Sequence, residues 1–186
     1  MKKNQIIKFI ISASIFPILI WSCNPETPND PNEQEVITSL KITAMEGSNT
    51  YTFAYSDPDG SGGNIPSIDT IFLNASTSYA ISLDLLDETK TPVDTVTTEI
   101  VAEAVDHQFF FMVSGANLTN TYSDLDVNGH PIGLQDVWTT GFVSSGTIMI
   151  TLRHQPNKSA PNVSSGNISA AGGETDVEVT FPIIIQ

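Results

Sequence analysis

The sequence predicts an all-β domain, an antiparallel two-sheet β-sandwich of immunoglobulin-like type with one short helix. Three observations predict it. Eight or nine short segments alternate apolar and polar residues, clusters of Gly, Asn, Pro and Asp separate them, and one stretch alone changes to helical spacing. Alternation with period two buries one face of a strand, and two such sheets cover each other's apolar faces.

The first 22 residues stand apart from that pattern and are read as a lipoprotein signal peptide. Lys2, Lys3 and Lys8 form a basic start, and residues 9–21 form an apolar run interrupted by Ser12, Ser14 and Pro17. At 13 residues the run is well short of the roughly 20 that a spanning helix needs. Ile20, Trp21, Ser22 and Cys23 resemble a lipobox, with Trp21 departing from its usual small residue. Cys23 is the only cysteine, so no intrachain disulfide competes with lipidation as its role. Residues 23–35 are then the lipidated cysteine and a tether, because Pro25, Pro28 and Pro31 recur at every third position among acids and favour an extended chain.

Residues 36–186 are expected to form a single domain. Val36, Thr38, Leu40, Ile42 and Ala44 share one face of the first strand, and Tyr51, Phe53 and Tyr55 one face of the next. Further strands are expected over residues 70–73, 79–86, 109–113, 118–122, 132–142, 147–152 and 177–185. Ile100, Val101, Ala104 and Val105 place a short helix over 96–108, with Asp94, Thr97 and Thr98 as capping candidates. Residues 157–173, rich in Ser, Asn, Ala and Gly, read as a long loop.

Beyond residue 22 only Lys41, Lys90, Arg153 and Lys158 oppose 21 acids, a net charge of −17. A surface this acidic excludes nucleic acid as an expected partner and attracts cations. Asp57, Asp59 and Asn64, in a Gly-rich loop, are read either as oxygen ligands for Ca²⁺ or as a solvated turn. Asp124, Asp126, Asn128 and Gly129 copy the first half of an EF-hand loop, but its twelfth position is Gln135, and a hairpin turn is the competing reading. Glu103 and His107, four apart on the expected helix and beside Asp106, form a transition-metal site if His154 reaches them from a strand end. A partly buried, hydrogen-bonded histidine is the alternative. No cofactor is expected from the sequence; if these residues hold one, it is Ca²⁺ first and a transition metal second.

Phe109, Phe110 and Phe111 place aromatics on both faces of one strand, and Trp138 lies in another. Phe110 and Trp138 are candidates for stacking on a ligand if exposed, and for core if not. The chain has no G-x-S-x-G, no H-E-x-x-H and no phosphate-cradling glycine loop, so catalytic residues are not expected; a carboxylate pair of a carbohydrate-active enzyme is the remaining enzymatic reading.

Blocks at residues 59–64 (DGSGGN), 106–111 (DHQFFF), 151–158 (TLRHQPNK) and 172–181 (GGETDVEVTF) resemble small lipoproteins of the Bacteroidetes, flavobacterial, type. Acids soon after Cys23 resemble the surface-export signals of such proteins, and Asp69-Thr70-Ile71 and Asp94-Thr95-Val96 resemble their O-glycosylation acceptors. The resemblance implies an outer-membrane lipid-anchored protein, surface-exposed or facing the periplasm, with an outer-membrane protein or a glycan as partner. Proteins of this kind are sometimes labelled with the type 1 periplasmic binding fold; two α/β lobes totalling about three hundred residues do not fit this shorter, strand-dominated domain. The expected function is a non-enzymatic binding or accessory module, with metal binding as the alternative.

Overall fold

The computed structural model describes residues 35–60 and 62–186; the signal peptide, Cys23 and the tether as far as residue 34 lie outside the described residues. Two sheets form an all-β sandwich, and one short helix accompanies them. Strands β1 (Ser39–Glu46) and β2 (Asn49–Ser56) form a hairpin whose two-residue turn places Gly47 at φ +59°, the left-handed conformation that matches strand twist. β5 (Ser78–Leu86) pairs with the other side of β1, setting Leu40, Ile42 and Ala44 opposite Leu85, Leu83 and Ile81, all buried. β8 (Gln135–Thr140) and the edge strand β7 (Leu118–Tyr122) follow, and the two-residue β3 (Ser67–Ile68) extends the far edge beyond β2.

The second sheet runs β4 (Ile71–Leu73), β10 (Glu174–Ile185), β9 (Ser144–His154) and β6 (His107–Ser114). β4 lies parallel to β10, so the sandwich is antiparallel except at this short edge. Along β10 the alternation is regular: Val177, Val179, Phe181, Ile183 and Ile185 are buried and their neighbours exposed. These side chains meet Ile42, Leu83 and Trp138 of the first sheet in one core, where Trp138 stands edge-on to Phe111 at 6.1 Å. Each such fully buried side chain stabilises the fold by roughly 1.5–3 kcal/mol.

Helix α1 covers Val96–Ala102 and packs Val96 and Ile100 into the core, while the Thr97 hydroxyl donates to the Leu85 carbonyl and accepts from the Leu85 amide. It is shorter than the expected 96–108. Val101 and Val105 are exposed, a 3-10 turn occupies Ala104–Asp106, and His107 is already extended. The reason is tertiary: HQFFFMV suits a pleated, half-buried surface and pairs residue for residue with β9, which overrides the helical spacing before it. The expected loop over 157–173 contains only one 3-10 turn, Ile168–Ala170, and folds over the outer face of β6, where Val163 and Ala171 cover Phe110.

Candidate metal centre

The register of β6 and β9 sets His107, the first residue of one strand, opposite His154, the last residue of the other. Both belong to the inward rows that continue as Phe109, Phe111 and Leu152, Ile150, so they close one end of the core. Their rings meet edge to face, 4.7 Å between centroids. On the neighbouring strand Thr175 pairs with Arg153 and Val177 with Leu152, leaving Asp176 as the additional residue of a β-bulge. A bulge re-aims a side chain. Here a residue that regular alternation would turn outward has its carboxylate fully buried, with Oδ2 3.7 Å from His107 Nε2 and 3.9 Å from His154 Nδ1.

Hydrogen bonding fixes the chemistry of His107. Its Nδ1 lies 3.1 Å from the Glu103 carbonyl, which can only accept, so Nδ1 carries the hydrogen. Burial pushes the ring down to about 4, against the pull of that carbonyl, and the ring is neutral at pH 7. Its Nε2 then presents a buried lone pair without a hydrogen-bond donor, aimed at a carboxylate that also lacks a well-formed hydrogen bond. Burial pushes Asp176 up to about 6, opposed by His154 and by the nearby Glu35 amide. Two electron-rich groups face each other here, an arrangement that calls for a proton or a cation between them. One ligand atom from each of His107, His154 and Asp176 lies within 4.8 Å of the others.

A second trio shares His107. Ligand atoms of Glu35, Glu103 and His107 also lie within 4.8 Å of one another. Glu35 is pushed up to about 7, first by burial, then by a hydrogen bond to the Glu99 carboxyl and by repulsion from Glu99, Glu103 and Asp176. Two carboxyls share a hydrogen bond only when one holds a proton. Lys158, whose charge His107 feels, is committed elsewhere: its buried ammonium donates to the carbonyls of Ala104 (2.6 Å) and Pro131 (3.1 Å) and to Asp126 Oδ2 (3.0 Å).

The other candidate residues do not converge on this end. Asp59 Oδ2 accepts from the amide and side chain of Asn64, closing that loop on itself, with Asp57 buried at its start. The Asp124 carboxylate accepts from the amides of Gly133 and Gln135, and Asp126 from those of Asn128 and His130 as well as from Lys158. The Asp126 amide donates to the His130 carbonyl and closes a hairpin over Val127, Asn128 and Gly129, in which the Gly129 amide donates back to the Asp126 carbonyl. His130 bonds Ser164 instead of joining the other histidines. Phe110 and Trp138 are both buried, so neither offers a face for stacking.

Sequence reasoning brought Glu103, His107 and His154 to notice and missed Asp176 and Glu35. Asp176 sits in a run whose alternation assigns it to solvent, and Glu35 directly follows the Pro-spaced acids, whose pattern assigns it to the tether. Comparison of the chain with protein-family models, with curated proteins and with solved structures finds no match.

Proposed function

We propose that this protein is a lipid-anchored binding protein of the bacterial envelope whose domain holds a divalent transition-metal ion through His107, His154 and Asp176. The observation that carries the reading is the buried trio itself. Ligands about 2.0–2.1 Å from a tetrahedral ion lie about 3.4 Å from one another. The separations of 3.7 and 3.9 Å are too long for hydrogen bonds and within a few tenths of an ångström of that spacing. Two imidazoles and a carboxylate suit Zn²⁺, Cu²⁺ or Ni²⁺ and not Ca²⁺, which takes six to eight oxygens. The Glu103 carbonyl on His107 Nδ1 is the kind of outer contact that orients a ligating ring.

Titration of the metal-free full-length chain with Zn²⁺ tests this. One equivalent is expected to bind and to raise the melting temperature, with about 2.7 kcal/mol of stabilisation once free Zn²⁺ exceeds Kd a hundredfold. His107→Ala and His154→Ala should abolish both effects, and a wild-type chain that binds no Zn²⁺, Cu²⁺ or Ni²⁺ ends the proposal. The anchor rests on Cys23 and the basic-then-apolar leader. Palmitate labelling in cells is expected to disappear in Cys23→Ala. An accessory role beside an outer-membrane protein follows from anchor and acidity, and a pull-down from native membranes that returns no specific partner or glycan removes it.

A further inference from the structure

We infer that Glu35 supplies the fourth ligand of this ion, so that metal binding fastens the segment entering β1 to the end of the sandwich. The inference rests on the metal reading of His107, His154 and Asp176 and adds to it a coordination set and a mechanical consequence. A structural tetrahedral site closes with four protein ligands. Two side chains lie near enough to be drawn in as the fourth, because Glu35 and Glu103 form a second group with His107, ligand atoms within 4.8 Å of one another, beside the first trio. Glu35 also lies beside Asp176, whose carboxylate accepts from its amide. Glu103 is held as the residue that ends α1, and its carbonyl already orients His107.

Backbone pairing with another strand begins only after Glu35. Among the described residues the first backbone-to-backbone hydrogen bond of the chain is Thr38 N to Leu86 O, three residues further on, and Val36 is exposed. Without an ion, Glu35 sits among the carboxyl groups of Glu99, Glu103 and Asp176, a gathering of like charge. With an ion, the same carboxylate becomes a ligand. Residues 35–37 are then tied to β6, β9 and β10 at the end from which the chain leads back toward Cys23.

The test uses the full-length chain with Zn²⁺ alone, comparing wild type, Glu35→Gln, Glu103→Gln and His154→Ala by calorimetry and by amide hydrogen exchange. Glu35→Gln is expected to keep one-equivalent binding and to weaken it at least about tenfold. Glu103→Gln should change affinity less. Zn²⁺ should slow exchange at residues 35–37 in wild type and leave it unchanged in Glu35→Gln. Wild-type affinity in Glu35→Gln, an equal or greater loss in Glu103→Gln, or no protection of 35–37 on Zn²⁺ binding overturns the role of Glu35 while the trio stands. No Zn²⁺ uptake by wild type overturns the trio itself.

Discussion

His107 and His154 stand directly opposite one another in β6 and β9, their rings edge to face with centroids 4.7 Å apart at the end of two rows of aromatic and aliphatic side chains. An apolar pair would continue the core there at no electrostatic cost. Two imidazoles and the bulged Asp176 carboxylate occupy the place instead, and burying His107 Nε2 and that carboxylate without a well-formed hydrogen bond costs about 1–3 kcal/mol for each group. A protein keeps such an arrangement where binding returns what folding loses.

Asp176→Asn separates those two effects. Removing a buried carboxylate while keeping its shape should leave the metal-free protein about as stable as wild type or up to about 2 kcal/mol more stable, because a buried charge without a cation opposes folding. The same change removes one anionic ligand and should abolish Zn²⁺ binding. Urea unfolding with and without Zn²⁺ measures both, and a variant that loses several kcal/mol without metal contradicts the account of Asp176 as a ligand held at the expense of stability.

The metal-free protein should lose stability as pH rises from about 4.5 to 7, most of it below about 6. Asp176 and Glu35, raised from 3.8 to about 6 and from 4.5 to about 7, keep their protons longer in the folded state, so their contribution is complete at low pH and fades as pH passes those values. His107, lowered from 6.5 to about 4, acts in the opposite sense: its contribution is present above 6.5 and lost on acidification toward 4. Between 4.5 and 6 two groups oppose one, and the net slope is downward with rising pH. Saturating Zn²⁺, which favours the deprotonated carboxylates, should reverse the slope. Melting temperatures across that range check this, with Glu35→Gln/Asp176→Asn expected to turn the metal-free decline into a rise between about 4 and 6.5, the window left to His107.

Lys158 ties the back of the site together, since one ammonium holds the Ala104 carbonyl beside Glu103, the Pro131 carbonyl and Asp126. Lys158→Met leaves the Asp126 charge buried without its cation and should destabilise by about 3–5 kcal/mol. Lys158→Met with Asp126→Asn should recover about 1–3 kcal/mol of that loss. Additive losses in the double variant would show that the two side chains act independently.

Much of this architecture is written in simple periodicity. Val177 to Ile185 and Leu40 to Ala44 alternate without exception, and β7 has the bounds that its sequence predicts, because a half-buried strand leaves no other way to distribute apolar groups. The site is harder to read. His107 and His154 are 47 residues apart in the sequence, and only the register of β6 on β9 makes them neighbours. Asp176 is concealed by the same rule that reveals its strand: period two sends it to solvent, and the bulge that turns it inward depends on how β10 meets β9. The helical spacing before His107 was real as a pattern, yet its second half yielded to strand pairing.

The Gly172-Gly173 pair just before β10 offers a way to perturb the bulge without touching a ligand. Gly173 has φ +68°, and a Cβ there would run into the His154 carbonyl and the Gln155 backbone. Gly172 has a similar φ of +61° with nothing within 4 Å. Both Ala substitutions therefore share the strain of a left-handed residue, roughly 1 kcal/mol, and only Gly173→Ala adds a backbone collision. That collision pushes the start of β10 away from β9 at His154, the contact that carries Asp176 toward the imidazoles. Gly173→Ala should thus lower Zn²⁺ affinity by an order of magnitude or more, about 1.4 kcal/mol per factor of ten, while Gly172→Ala lowers stability slightly and binds as wild type does. Equal affinities in the two variants would mean that the approach of β10 to His154 does not position Asp176 for binding.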